Sequence, residues 1–351
     1  MRDHFISKDQ RYMHRALQLA RLGGSDVTPN PMVGAVIVHD DIIIGEGYHQ
    51  RYGGPHAEVN AVDSTEDHSL LPQSTLYVTL EPCAHHGKTP PCSDLIVHHQ
   101  FKRVVIACQD SFSAVAGKGI ERIKDAGIQV EVGLLEQEAR EVNKRFFTYH
   151  EKKRPYVLLK WAQTADGFID RPSEERHSGV NWISQPSTQL HVHQWRSQES
   201  AILVGYKTVI NDDPSLTVRA ISGNNPTRII LDPDCSLQGD YTVLKDGLNT
   251  LLFVRSNNYK YMPEHIDVIE IGSFTVRTIL NELWERSFLS VFVEGGATTL
   301  QYFIDAGAYD EARIIVGKTT FKNGLKAPHI NHFSHHQESL GTDTIHYYYR
   351  S

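Results

Sequence analysis

The chain has 351 residues, more than one compact domain usually needs, and its 40% hydrophobic and 22% charged content excludes a disordered or fibrous protein. A net charge of −7 argues against a large nucleic-acid footprint, which would show as a basic face. No apolar run approaches the roughly 20 residues that span a bilayer, so no membrane partner is expected. The opening MRDHFISKDQ lacks an apolar signal core, so a cytoplasmic protein is expected, with its four cysteines reduced, structural or metal-binding.

In chain order, residues 9–23 place Met13, Ala16, Leu17 and Ala20 on one helical face, with Gly23 and Gly24 as a stop. VGAVIV (33–38) and IIIGEGY (42–48) flank His39-Asp40-Asp41 and form a hairpin pattern. Pro55 is a good helix-start residue for PHAEVNAV. Strands are expected at 74–80, 103–108 and 128–133, with helices at 93–99 and 119–127 between them. A polar helix from Glu136 runs into a charged stretch ending at Pro155, which sets a domain boundary near 148–154 and domains at 1–150 and 151–351. Beyond it the alternation restarts, with strands at 156–163, 201–205, 227–232, 250–255 and 290–296 and helices at 187–195, 275–287 and 298–307. Both halves therefore have the pattern of α/β layers.

Chemistry concentrates in two stretches of the first half. His56-Ala57-Glu58 is followed by TLEPCAHHGKTPPC, which carries Cys83 and Cys92. Alone, the two cysteines could be a disulfide, packing residues or metal ligands. With His56 they make three protein ligands, which leaves zinc one tetrahedral position for water, the catalytic arrangement. Glu58, two residues beyond His56, can carry the proton, and H-x-E…P-C-x-x-C is the known pattern of zinc nucleobase deaminases. Both sets fall at expected helix N-termini, which favour thiolate and negative charge. Eight residues separate the cysteines instead of two. That loop contains His85, His86 and Lys88, and Lys88 suits an anionic group such as a substrate phosphate. Cys108 and Cys235 lack such company and are expected to be packing residues.

The second half is less explicit. It has no G-x-G-x-x-G. VEGGATTL (293–300) is a strand, two glycines and a helix start, equally an ordinary turn or a phosphate site at a helix N-terminus. INDDPSLTVR (210–219) puts Asp212, Asp213 and Arg219 around a turn, equally a polar surface loop. The histidine-rich APHINHFSHHQ (327–337) lacks metal-ligand spacing and is expected to be a solvated loop.

With these motifs in place, the chain resembles, over nearly its whole length, the bifunctional riboflavin-biosynthesis deaminase–reductases. The carriers are HAE, the long cysteine loop, TPNPMVGAVIV (28–38), KWAQTADGFID (160–170), AILVGYKTVINDDPSLTVR (201–219) and VEGGATTL. The resemblance implies a cytidine-deaminase-like three-layer α/β/α domain followed by a dihydrofolate-reductase-like α/β domain. It implies zinc on His56, Cys83 and Cys92, with Glu58 catalytic, and deaminase substrate contacts from Asn30, His85, Lys88 and Asp110. It further implies NADPH contacts from Ala162, Trp182, Thr208, Asp212 and the segment Gly296, Ala297, Thr298 and Thr299. Substrate contacts in the reductase would come from Arg196, Leu216, Arg219 and Glu294. Two arginines suit a phosphorylated sugar, and the acidic residue could relay a proton. Phe112 and Val180 stand where a substrate-binding Asn and Ser would be expected. The implied activity deaminates 2,5-diamino-6-(5-phosphoribosylamino)pyrimidin-4-one and then reduces the ribosyl group to ribityl. The implied partners are that small molecule, no nucleic acid, and further copies of the chain through the reductase domain. Two rivals remain: a zinc deaminase that edits nucleic acid, with an accessory domain, and a structural zinc module joined to a ligand-binding domain.

Overall fold

Ser7 and Gln10 exchange side-chain-to-backbone hydrogen bonds of 2.9 and 3.1 Å, a capping box that starts α1 (Lys8–Arg21). The computed structural model to which α1 belongs describes residues 6–85, 90–112, 116–175, 181–331 and 333–350. The chain divides into two compact units, Met1–Lys152 and Lys153–Ser351. The first continues with β1 (Gly34–His39), β2 (Ile42–Tyr48), α2 (Ala57–Asp63), β3 (Thr75–Val78), α3 (Cys92–His98), β4 (Arg103–Ile106), α4 (Lys118–Asp125), β5 (Gln129–Val132), α5 (Glu136–Val142) and α6 (Lys144–Lys152).

Its sheet has the order β2-β1-β3-β4-β5, antiparallel at the β1–β2 hairpin and between β1 and β3, parallel from β3 to β5. Ala35, Ile37, Leu76, Val78, Val104 and Ile106 alternate along the strands to form one buried face against α2, α3 and α4. Met13, Ala16, Leu17 and Ala20 of α1 are buried, and α1 packs on β1, β2 and β3 and on α5, giving an α/β/α sandwich. α2 lies so close to β2 that a Cβ on Gly47 would stand 2.3 Å from the Ala61 nitrogen and 2.5 Å from the Ala57 carbonyl oxygen. Only glycine permits that approach.

The second unit contains β6 (Tyr156–Gln163), β7 (Phe168–Asp170), α7 (Pro186–Ser197), β8 (Ala201–Gly205), α8 (Tyr206–Asp212), β9 (Thr227–Leu231), α9 (Thr242–Lys245), β10 (Thr250–Val254) and β11 (Ile266–Glu270). It ends with α10 (Val276–Glu285), β12 (Ser290–Val293), α11 (Ala297–Asp305), β13 (Glu311–Val316), β14 (Leu325–Lys326), β15 (His336–Leu340) and β16 (Asp343–Tyr349). Its nine-stranded sheet has the order β11-β10-β9-β8-β12-β6-β13-β16-β15 and is parallel except at the two ladders made by β16. Both faces are buried. Val157, Leu159 and Trp161 face one apolar cluster that includes α10 and α11, and Tyr156 and Leu158 face another that includes α7 and α9.

Several expectations shift. The helix expected from Pro55 begins at Ala57, with His56 as its N-cap in extended conformation. The histidine-rich segment is only partly loop, because β15 starts at His336. β7, β11, β13, β15 and β16 escape the apolar-run criterion because charged residues interrupt them. In β13, Glu311 and Arg313 are themselves buried, with the Arg313 guanidinium over the Trp195 ring at 4.7 Å and 2.6 Å from Glu311.

Candidate functional site

In the first unit, the loops after β2, β3 and β4 carry the expected site residues except Asn30, which precedes β1; the latter two loops lie at the carboxyl ends of parallel strands. His56 caps α2, Glu58 is buried in its first turn, and Cys92 opens α3. His56 Nδ1 lies 3.2 Å from Cys92 Sγ and 3.5 Å from Cys83 Sγ. The three ligand atoms all fall within 4.8 Å of one another. Two ligands on a tetrahedral zinc, one S and one N, stand about 3.6 Å apart, so this donor set fits the metal. All four cysteines are free, and Cys108 and Cys235 are buried in the packing. The Cys92 thiol, the His56 ring and the Cys92 backbone N–H hold the Cys83 thiol down, while Cys92 itself is pushed up by Cys83 and by burial. Burial pushes the Glu58 carboxyl up.

One residue fixes the wall of this site. The Glu81 carboxylate, two residues before Cys83 and 4% exposed, accepts from the backbone N–H groups of Asp110 (3.3 Å), Gly117 (3.0 Å), Gly119 (3.0 Å) and Ile120 (3.3 Å). It therefore ties the cysteine loop to the Asp110 loop and to the start of α4. A Cβ on Gly119 would sit 1.9 Å from the Pro82 carbonyl oxygen, which explains the glycine at that crossing.

Asp110 is buried, and burial raises its carboxyl to about 6 against the pull of the Phe112 N–H, which donates to Asp110 Oδ1 at 2.7 Å. The Phe112 ring packs against His85 (centroids 6.4 Å apart) and His150 (5.2 Å). An aromatic cluster thus occupies the place where an Asn would be expected. Asn30 Nδ2 lies 3.1 Å from His49 Nε2. Lys88 and His86 lie outside the described residues, as does Val180 in the second unit.

In the second unit, a cleft of about 1080 Å³ gathers all twelve residues expected there. Its floor is made where the neighbouring strands β8 and β12 end in glycine turns. A Cβ on Gly205 would stand 2.6 Å from Thr299 Oγ1, and the Gly296 N–H donates to Thr208 Oγ1 at 3.0 Å. Ala297, Thr298 and Thr299 follow as the first turn of α11, whose N–H groups have no partner within the helix. This glycine cradle fits a dinucleotide phosphate. Ala162 lines the cleft from β6, Trp182 is 58% exposed at its edge, and Asp212 ends α8.

The substrate residues form a buried charge cluster. Arg196 donates to Glu294 (2.7 Å) and to the Thr217 carbonyl (2.6 Å), and its Nε is buried without a partner among the described residues. Lys160 takes the other Glu294 oxygen at 2.9 Å. Burial alone would push the Glu294 carboxyl up, but the Arg196 and Lys160 charges hold it down at about 2. Glu294 therefore sits between two cations, a setting that favours its carboxylate form. Leu216 is buried with φ 55°, a left-handed backbone that turns the loop into the cleft, and Arg219 Nη1 donates to Ser215 Oγ at 3.0 Å. His193 Nδ1 accepts from the Arg219 N–H at 3.3 Å. Its imidazole is lowered by burial and by both arginines.

Sequence reasoning missed Lys160, His193, Glu81 and His49. Lys160 had a signal, a lone cation inside the apolar run YVLLKWAQ. The others act through contacts between separate elements that no local spacing encodes.

Comparison with known proteins covers both units. Residues 6–108 match the family model of the cytidine and deoxycytidylate deaminase zinc-binding region, and residues 155–321 match the RibD C-terminal domain. A riboflavin biosynthesis protein RibD of Aquifex aeolicus is 40% identical over 322 residues, covering 90% of this chain and 89% of that one. The RibD of Escherichia coli is 35% identical over 326 residues, covering 88% and 87%. Among solved structures, a diaminohydroxyphosphoribosylaminopyrimidine deaminase/5-amino-6-(5-phosphoribosylamino)uracil reductase from Thermotoga maritima superposes with a TM-score of 0.88 at 37% identity, covering 98% of this chain and 99% of that one. An Acinetobacter baumannii RibD gives 0.87 at 34% identity, covering 97% and 98%.

Proposed function

Since the chain belongs to the RibD family of riboflavin biosynthesis proteins, we propose that its two sites act in sequence on one phosphoribosylaminopyrimidine. The chain is a bifunctional enzyme, a zinc-dependent deaminase followed by an NADPH-dependent reductase. In our reading the deaminase domain, residues 1–150, hydrolyses the amino group of 2,5-diamino-6-(5-phosphoribosylamino)pyrimidin-4-one, and the reductase domain, residues 151–351, reduces the ribosyl group of the product to ribityl.

The observation that carries the first step is the His56, Cys83 and Cys92 donor set beside a buried Glu58. His56, Cys83 and Cys92 would hold zinc, which would supply a water activated as a nucleophile near neutral pH. Glu58 takes the proton from the attacking water and delivers it to the departing amine, a role suited to a carboxyl raised by burial. Asn30, His85 and Asp110 would contact the ring, and Lys88 its phosphate.

In the second step bound NADPH would supply a hydride to the sugar C1′ once the bond from C1′ to the ring oxygen has opened, and the released oxygen takes up a proton. The glycine cradle with Thr208, Gly296, Ala297, Thr298 and Thr299 would hold its phosphates, with Ala162, Trp182 and Asp212 along the rest of the cofactor. Arg196, Arg219 and the Leu216 turn would bind the phosphorylated sugar. Glu294, kept as a carboxylate, orients Arg196 and Lys160. Lys160, a cation of the same cleft, would give the proton that the released ring oxygen takes up.

We further propose that the chain works in the cytoplasm, in keeping with four free thiols, and associates with further copies through the second unit. Light scattering on the full chain reads that association directly. For the first step, ammonia release by the zinc-loaded wild type and its loss in Glu58→Gln with zinc retained is the expected result. Full ammonia release by Glu58→Gln would contradict the mechanism.

A further inference from the structure

The segment that carries Asn30 is held from far along the chain. Asn143, 4% exposed between α5 and α6, accepts from the Met32 N–H and donates to the Met32 carbonyl, both at 2.8 Å. This bidentate clamp fixes the backbone two residues beyond Asn30. The Asn30 side chain is then held by one imidazole. His49 is 3% exposed and stands edge to face with the proposed metal ligand His56, with centroids 5.5 Å apart at 80°.

The two nitrogens of His49 have different work. Nδ1 lies 2.9 Å from the carbonyl oxygen of Pro55, the residue before His56. A carbonyl only accepts, so Nδ1 carries the hydrogen. Nε2 then offers a lone pair, and the group facing it at 3.1 Å is Asn30 Nδ2, an amide donor. That bond removes the freedom of the Asn30 amide to flip. It leaves Oδ1 as the free end of the amide, and Oδ1 meets no donor among the described residues.

We propose that His49 is a positioning residue of the deaminase site. Its Nε2 lone pair locks Asn30 with Oδ1 presented to the substrate, so that the site selects a pyrimidine edge bearing an N–H or amino group. The same imidazole, through Pro55, steadies the backbone entering His56. The inference rests on the deaminase reading of the first unit and adds to it the polarity of one contact. A fixed acceptor discriminates against a ring that presents a lone pair there, because two acceptors would face each other without a proton between them.

Two substitutions separate the two nitrogens. His49→Asn keeps an N–H near the Nδ1 position for Pro55 and deletes the acceptor for Asn30. His49→Gln supplies an acceptor near the Nε2 position and gives up the Pro55 contact. In the zinc-loaded full chain, His49→Asn is expected to raise the deaminase KM about tenfold or more, the weight of one buried hydrogen bond in an oriented contact. Its zinc content and its reductase rate on the deaminated product stay at wild-type values. His49→Gln recovers most of the KM and binds zinc less tightly. A wild-type KM in His49→Asn, or equal impairment of KM in both variants, overturns the proposal. Nitrogen NMR of the wild-type holoenzyme checks it without substitution: Nδ1 should be protonated and Nε2 bare, and a proton on Nε2 overturns it. Wild type is the control for the underlying reading. If it releases no ammonia, the deaminase assignment fails; if it does and the variants match it, only the role of His49 fails.

Discussion

Glu294 carries the sharpest electrostatics in the molecule. It is one carboxylate between Lys160 and Arg196, each within 2.9 Å and all three largely buried. Removing the negative partner leaves two cations in a desolvated cleft, so Glu294→Gln should cost about 3 kcal/mol of stability in urea unfolding. It should also lower reductase kcat/KM while ammonia release is unaffected. The pH dependence has a definite sign. The folded carboxyl lies at about 2, below its ordinary 4.5, so the ion cluster contributes fully above about pH 4.5 and is lost as pH falls through 2. The stability gap between wild type and Glu294→Gln should therefore narrow on acidification from about pH 5 to pH 3. A gap that widened would place the proton on Glu294 in the native cleft. Nothing in VEGGATTL distinguishes an acid from a counter-ion. The difference is made by Lys160 and Arg196, which are 134 and 98 residues away in the chain.

At the scale of elements, the deaminase site depends on how closely α2 rides on β2 and on how Glu81 gathers three loops. Gly47→Ala would force a methyl to within 2.5 Å of the α2 backbone on two sides. The helix must then lift, carrying His56 and Glu58 with it, at about 1–3 kcal/mol. Metal analysis should find reduced zinc in this variant, and reductase activity on the deaminated product should persist. Glu81→Ala leaves the N–H groups of Asp110, Gly117, Gly119 and Ile120 without their acceptor. Calorimetry should register a loss of about 3 kcal/mol or more, with Glu81→Gln in between, because an amide keeps one acceptor oxygen. The elements that formed the sheets were largely legible in the sequence, since VGAVIV, RVVIAC and AILVG are buried apolar runs bounded by turn residues. What escaped was interior polarity. β13 buries Glu311 and Arg313 among aromatic rings, and β16 reads as a tyrosine-rich tail until its ladders with β13 and β15 are seen. The ligand set was legible because zinc chemistry dictates residue types at short spacing. The groups that position it were not, because Glu81 and Asn143 act across 29 to 111 residues, and His49 acts across 19 residues on Asn30 and through the Pro55 carbonyl.

For the whole molecule, the account places two chemistries in two units of one chain, so each should be removable alone. Stripping zinc with a chelator should abolish ammonia release and leave NADPH oxidation on the deaminated product intact, because the second cleft is lined entirely by residues of its own unit. Loss of both activities on chelation would mean that the second site depends on the first metal. The central claim, that the two steps run in order on one molecule, is tested most directly by following NADPH absorbance with the diaminopyrimidine phosphate as the sole substrate. Wild type should consume NADPH. Glu58→Gln should consume none until the deaminated product is supplied, and should then match wild type. Oxidation by Glu58→Gln on the undeaminated compound at the wild-type rate would contradict the account.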